Sequence, residues 1–350
     1  MLTPPDLSHD AIRQCLSEAY GLNNAQVRFL PLGADVNSAA FHIDASVDAG
    51  DGTAYFLKLR RGEFDPSVVA VPAFLHHDQG IEAVMAPVPT TAGPLSVRRE
   101  GFDWALYPFF DGANGFERAL GNTQWRALGA ALAAVHRTEL PEALGATLPR
   151  ERYAHHAREG VRRYQRRFIN GVNDMNGDDV VKRFFAFWEA HAEEIDTIVY
   201  RSEQLASILL ERPPRLVLCH ADLHAGNVLV GDAGNASDHG RLSIVDWDMV
   251  MLAPKERDLM FIGGGVGHAW NQPAQEALFF EGYDATDIDA VALTHYRYER
   301  ITKDILEICD QVFDTAASTQ DREEALRQMT AQFQPDDVVA IAHRSYEAVT

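Results

Sequence analysis

Cysteine is scarce. The chain has three in 350 residues, Cys15, Cys219 and Cys309, and no C-x-x-C spacing. An odd, scattered set argues against a disulfide framework and predicts free thiols in a reducing compartment. Positive charge is short too. Lys and Arg number 31 against 51 Asp and Glu, a formal net charge of −20. Nucleic-acid binding needs a basic face, so no nucleic-acid partner is expected. A cationic small molecule suits the charge balance better. No apolar run reaches membrane-spanning length, so no membrane partner is expected either. Met1 to Asp6 has neither the basic start nor the apolar core of a secretory signal, which predicts a cytoplasmic protein. Internal repeats and low-complexity tracts are missing. What is present is length enough for two domains or two lobes, with 46% hydrophobic residues to fill their cores.

The most informative stretch is Leu218-Cys219-His220-Ala221-Asp222-Leu223-His224-Ala225-Gly226-Asn227-Val228-Leu229-Val230. An apolar run enters a polar turn and a second apolar run leaves it. In Ile244-Val245-Asp246-Trp247-Asp248, whose Asp246 stands nineteen residues after Asn227, the chain reads as another strand ending in a carboxylate. A lone H-x-D in a loop is weak, because His and Asp are ordinary turn residues. The full string followed by V-D-W-D has the layout of a phosphoryl-transfer site. Asp222 is the candidate acceptor of the proton of an attacking hydroxyl. Asn227 and Asp246 are the candidate ligands of the Mg²⁺ that carries the phosphates of ATP, the co-substrate. His220 has no required chemical step and reads as a scaffold that hydrogen-bonds the loop.

The first third reads as a small lobe of strands and helices. A helix is expected from Leu7 to Tyr20, ending at Gly21. Strands are expected at Val27–Leu30, Ala39–Ile43, Thr53–Leu59, Leu95–Arg98 and Trp104–Phe109, with a helix at Val68–His77. The turn formers at Asp111 to Gly115 set the lobe boundary. Beyond it, Thr123 is the expected N-cap of a helix through His136. Long helices follow at Arg152–Ile169 and Asp178–Leu210. Helical patterns return near residues 273–282, 288–309, 319–333 and 335–348.

Lys58 sits inside the apolar strand Tyr55-Phe56-Leu57-Lys58-Leu59, where an unpaired charge is costly. Solvent exposure would explain it, but beside the downstream motif it reads as a contact to the α- and β-phosphates. A Glu on the following helix usually orients such a lysine. The helix at 66–79 has none, so the partner of Lys58 stays open. Gly33 to Ser38, which contains Asp35, is a turn where kinases place a phosphate-covering loop, although it is not G-x-G-x-x-G. In Tyr107-Pro108-Phe109-Phe110-Asp111-Gly112, Pro108 lacks an N–H but keeps its carbonyl. With the Phe110 N–H it could offer the acceptor and donor that an adenine needs.

Taken together, His220, Asp222, Asn227 and Asp246 resemble the H-x-D-x-x-x-x-N and strand-end Asp of the aminoglycoside phosphotransferase family. Longer strings resemble its spectinomycin 9-phosphotransferase branch. They are Gly33-Ala34-Asp35 before Asn37, Tyr107-Pro108-Phe109, Asn114-Gly115-Phe116, and Met251-Leu252-Ala253-Pro254-Lys255-Glu256-Arg257-Asp258-Leu259-Met260-Phe261-Ile262-Gly263-Gly264-Gly265-Val266-Gly267. The resemblance covers nearly the whole chain and is weakest in the helices at 140–215. It implies an α+β, bilobal protein-kinase-like fold. Residues 1–109 would form a small β-rich nucleotide-binding lobe. Residues 110–350 would form a larger, mainly helical lobe with the catalytic loop, metal site and substrate site. It implies Asp222 as the catalytic residue, Lys58, Asp35, Pro108 and Phe110 at the nucleotide, and Asn227 and Asp246 at Mg²⁺. The acceptor it implies is a hydroxyl of an aminocyclitol such as spectinomycin. The rivals are a kinase for another small alcohol, such as choline, homoserine or a thiosugar, and a non-catalytic nucleotide-binding protein of the same fold.

Around that site the expectations are softer. Asp258 reads as a cap or an anchor for the catalytic loop. The Gly263-Gly264-Gly265 run reads as a flexible loop or a tight turn with positive φ. Trp270 either stacks on a substrate ring or fills core. Asp304, Glu307 and Asp310 recur at helical spacing, and the first two are candidate contacts for substrate ammonium groups.

Overall fold

A computed structural model describes residues 4–32, 37–45, 53–169, 179–231, 241–284, 287–314 and 317–349. Its strands, in chain order, are β1 (Gln26–Leu30), β2 (Ser38–Ala45), β3 (Thr53–Arg61), β4 (Val97–Arg99), β5 (Phe102–Pro108), β6 (Ala113–Asn114), β7 (Val217–Cys219), β8 (Val228–Val230), β9 (Leu242–Ile244) and β10 (Met251–Ala253). The chain divides into two compact units. One is Met1–Pro149 with Gly226–Val250, and the other is Arg150–Ala225 with Met251–Thr350.

The first unit is built on a five-stranded antiparallel sheet of order β1-β2-β3-β5-β4. Strand periodicity divides β3 between two environments. Leu57 and Leu59 are buried in a core with Phe41, Ile43 and Trp104, while Lys58 alternates between them. Lys58 lies opposite Ala40 on β2 and Ala105 on β5, two small neighbours that leave its long stem room. The helix His9–Tyr20 covers the Leu57/Leu59 core with Ile12, Cys15 and Leu16. Ser8 caps its start by accepting from the Ala11 N–H, and Gly21 ends it at φ +68°. The helix Ser67–His77 places Val68 and Val69 against Ala105. A second sheet, β6-β8-β9, is extended by a bridge between Val84 and Ile244. The Val245 N–H donates to the Asn227 carbonyl at 3.0 Å, so the segment leaving β9 is tied to the one entering β8.

The second unit is mainly helical. His156–Ile169, Asp179–Glu211, Ala290–Phe313, Thr319–Gln332 and Val338–Glu347 surround a core that includes Phe184, Trp188, Ile305, Cys309 and Val312. Asp289 starts the helix Ala290–Phe313 by accepting from the Val291 and Ala292 N–H groups. The pair β7-β10 sets Cys219 opposite Met251 and fixes where the 220–225 loop begins. Gly263 and Gly265 have φ of +67° and +76°. A Cβ on Gly264 would come within 2.0 Å of the Met260 carbonyl oxygen. The triple glycine is therefore a tight turn set by close backbone approach. Among the described residues no helix is long and apolar enough to cross a membrane.

Element ends differ from expectation by at most four residues, and one difference is chemical. Thr123 is not the N-cap of its helix, which runs Asn122–Arg137. Gly121 holds that position, and its N–H donates to the Gln124 side chain at 2.9 Å. The glutamine does the capping, so the alcohol is not needed there.

Candidate active site

In the first unit Lys58 answers the question its own strand raised. Its Nζ lies 2.9 Å from Asp246 Oδ1 and 2.8 Å from Asp248 Oδ2. Arg60, two residues on along β3, holds the same Asp248 oxygen at 2.5 Å. Strand periodicity puts Lys58 and Arg60 on one face, so both reach the turn after β9. That turn is Trp247–Met249, and Asp246 enters it with φ +64° and ψ +65°. Burial opposes the charge on Lys58, yet the Asp246 and Asp248 carboxylates outweigh it and hold the ammonium above its ordinary pKa. Asp248 and Arg60 were not singled out as site residues in the sequence. Their signals were modest: a second Asp in V-D-W-D, and a second cation at i+2 on β3.

Asn227 is buried and ends the short turn Ala225–Asn227 that leads into β8. Asp246 is about half exposed, its side chain at 47%. The two residues offer an amide oxygen and a carboxylate oxygen from segments already joined by the Val245–Asn227 hydrogen bond. A hard divalent cation takes such oxygen donors, so this pair fits Mg²⁺. Pro108 ends β5, and the next residue, Phe109, spends its N–H on the Ala54 carbonyl. Among the described residues the Phe110 N–H donates to no other group. The Phe110 ring lies under the Arg241 guanidinium at 5.0 Å. Asp35 falls outside the described residues.

In the second unit the loop after β7 is anchored by Asp258. This carboxylate is fully buried and accepts from the His220 N–H at 2.9 Å and the Ala221 N–H at 2.6 Å. Charge-assisted bonds of this kind are short and strong, and they satisfy a buried carboxylate that would otherwise be expensive. Ala221 adopts φ +67°, a strained conformation for a residue with a Cβ. The next N–H, that of Asp222, donates to His220 Nδ1 at 3.3 Å. His220 and Asp258 thus brace the backbone on which Asp222 stands.

The Asp222 carboxylate meets Arg300 from the helix Ala290–Phe313. Arg300 Nη1 donates to Asp222 Oδ1 at 2.9 Å, and Arg300 Nε is 2.8 Å from Asp304 Oδ1. The other oxygen, Asp222 Oδ2, is 3.6 Å from His224 Nε2. Burial opposes the charge on Arg300, and Asp304 and then Asp222 more than offset it. Burial pushes the Asp304 carboxyl above its ordinary pKa although Arg300 pulls the other way. The three helix-borne acids therefore part company. Asp304 joins Asp222 through Arg300, Glu307 is exposed and 3.7 Å from Lys303, and Asp310 accepts from the Tyr164 hydroxyl. Trp270 is 6% exposed at φ +58°, and its carbonyl accepts from the Gly263 N–H.

A lysine on a central strand, two acids in the turn after β9, and a braced His-x-Asp loop with Asn five residues on make up the parts of a phosphoryl-transfer enzyme. The phosphotransferase enzyme family matches residues 30–294. The chain belongs to that family: it is an ATP-dependent small-molecule phosphotransferase with a hydroxyl acceptor and a protein-kinase-like fold. Among solved structures it is similar to spectinomycin phosphotransferase APH(9)-Ia in complex with ADP and spectinomycin. Identity there is 34%, over 98% of this chain and 99% of that one, with a TM-score of 0.86. The AMP-bound complex of APH(9)-Ia matches at 33% identity over 96% of this chain and 98% of that one, with a TM-score of 0.82. A microcompartment-associated aminopropanol kinase shares the fold, at 16% identity over 97% and 98% of the two chains and a TM-score of 0.61. No curated protein sequence matches.

Proposed function

We propose that this enzyme transfers the γ-phosphoryl group of ATP to a hydroxyl of spectinomycin. The observation that carries the reading is the 34% identity over 98% of the chain to a spectinomycin phosphotransferase whose structure holds ADP and spectinomycin.

The residues take roles that their chemistry supports. Asp222 orients the attacking hydroxyl and accepts its proton as the bond to phosphorus forms. The His220 and Asp258 bracing keeps its backbone fixed, so little reorganisation is needed at the moment of transfer. Lys58 contacts the α- and β-phosphates, and Asp248, itself held by Arg60, pairs with its ammonium. Asn227 and Asp246 hold Mg²⁺. When bound, the ion neutralises charge on the phosphate oxygens. Asp246 would hold the ion with an oxygen that now meets Lys58, and Asp248 would keep the lysine's ammonium paired. The Phe110 N–H and the Pro108 carbonyl read the adenine edge. Net negative charge favours the approach of a dicationic aminocyclitol, while pocket shape selects among the many antibiotics that carry ammonium groups.

A substrate panel tests the reading. Purified enzyme is expected to show higher kcat/KM for spectinomycin than for kanamycin-type compounds, choline or homoserine. Turnover of choline or homoserine without turnover of spectinomycin would leave the family in place and overturn the substrate.

A further inference from the structure

We infer that Arg300 is a positioning residue for Asp222, a role that rests on reading Asp222 as the proton acceptor. A carboxylate on a short side chain can rotate, so a partner that holds one of its oxygens fixes where the other points. In this structure one oxygen, Oδ1, is taken by the guanidinium at 2.9 Å. The other oxygen, Oδ2, has His224 Nε2 3.6 Å away.

The guanidinium is itself held from other sides. Asp304, one turn further along the same helix, forms an ion pair with the guanidinium, its Oδ1 2.8 Å from Nε. The Phe261 ring lies 5.9 Å below the guanidinium carbon. A planar fork can satisfy two carboxylates at once, whereas an ammonium is a point charge that cannot reproduce the fork. Asp304 is mostly buried, so its contact with Arg300 is made largely out of solvent. Asp222 thereby gains an orientation fixed by the helix as well as by its own loop. A hydroxyl displaced by about 1 Å from in-line geometry can cost about 10²-fold in rate, and this arrangement guards against that.

The test compares Arg300→Met, Arg300→Lys, Asp304→Asn and Asp222→Asn by steady-state kinetics, with thermal melting as the folding control. Arg300→Met should lower kcat by about 10²-fold with KM for ATP unchanged. Arg300→Lys should recover part of that loss, because it keeps the charge and one donor nitrogen but not the planar fork. Asp304→Asn should fall between wild type and Arg300→Met. Wild-type kcat in Arg300→Met, beside an inactive Asp222→Asn, would overturn the positioning role and leave the proton-acceptor reading intact. Full turnover in Asp222→Asn would overturn both. A parallel rise in KM for ATP, with no recovery in Arg300→Lys, would mean a general structural role and would also overturn the inference. If Arg300→Met fails to fold, Arg300→Lys and Asp304→Asn decide. Lower kcat at constant KM supports the role, and unchanged kcat in both removes it.

Discussion

In the first unit a lysine stands between two carboxylates, Asp246 and Asp248. In the second an arginine stands between two others, Asp222 and Asp304. The two arrangements differ in what can move. Lys58 is a point charge, both its partners come from one short turn, and Asp246 is half exposed. That arrangement can open, which a residue expected to turn toward a metal requires. Arg300 offers a rigid fork, one partner is on its own helix, and Asp304 is mostly buried. That arrangement resists opening, which suits a carboxylate that must keep one direction through every turnover. In the proposed reading the same charge pattern serves exchange in one unit and fixation in the other, and the chemistry of the cation decides which.

The largest expected effect breaks the second arrangement at its centre. Asp222→Asn keeps the shape but removes the proton acceptor, and kcat should fall by about 10²- to 10⁴-fold. ATP affinity should persist, because Asp222 faces the acceptor hydroxyl in the proposed reading. Near-normal turnover would remove Asp222 from its role.

Breaking the first arrangement should show up as metal dependence. Asp246→Ala should raise the Mg²⁺ concentration needed for half-maximal rate more than Asn227→Ala does. A carboxylate brings a full charge to a hard cation and an amide only a dipole. Asp248→Asn sharpens the comparison. It should raise KM for ATP at saturating Mg²⁺ with a smaller change in Mg²⁺ requirement, since it acts through Lys58. Equal Mg²⁺ titrations for Asp246→Ala and wild type would refute the metal role.

The smallest effect lies away from the chemistry. Burial, then Arg158, holds the His295 pKa down to about 3. The unfolded chain protonates this imidazole near its ordinary pKa of about 6.5, and the folded chain does not until far lower pH. Between those values the unfolded state binds more protons, so His295 costs stability as pH falls from about 6.5. The cost is at most about 1.4 kcal/mol per pH unit. Urea titrations across that window should show a shallower pH slope in His295→Phe than in wild type. An identical slope would mean that His295 is not the group responsible.

How far the sequence reached can be seen residue by residue. Capping and periodicity located the helix that ends at Gly21 and the strand that carries Lys58, because those signals are local. The spacing from His220 to Asn227 was legible for the same reason: one loop carries all of it. The partner of Lys58 was not legible. It lies 188 residues away, in a turn, where a helix-borne glutamate would have been the ordinary solution. Arg300 was invisible for a related reason. It is one of three cations, with Arg297 and Lys303, on an amphipathic helix, and only the fold brings it 78 positions back to Asp222. Helical spacing suggested that Asp304 and Glu307 share a role, yet spacing gives a face and not a partner. The partners, Arg300 for one and Lys303 for the other, separate them.

The most direct test of the central claim follows the label from γ-labelled ATP in a single turnover with spectinomycin, wild type beside Asp222→Asn. The predicted result is labelled phospho-spectinomycin from the wild type, dependent on Mg²⁺, and almost none from the variant at equal ATP occupancy. Label that stays in ATP, or appears only as free phosphate with the wild type, would contradict the account.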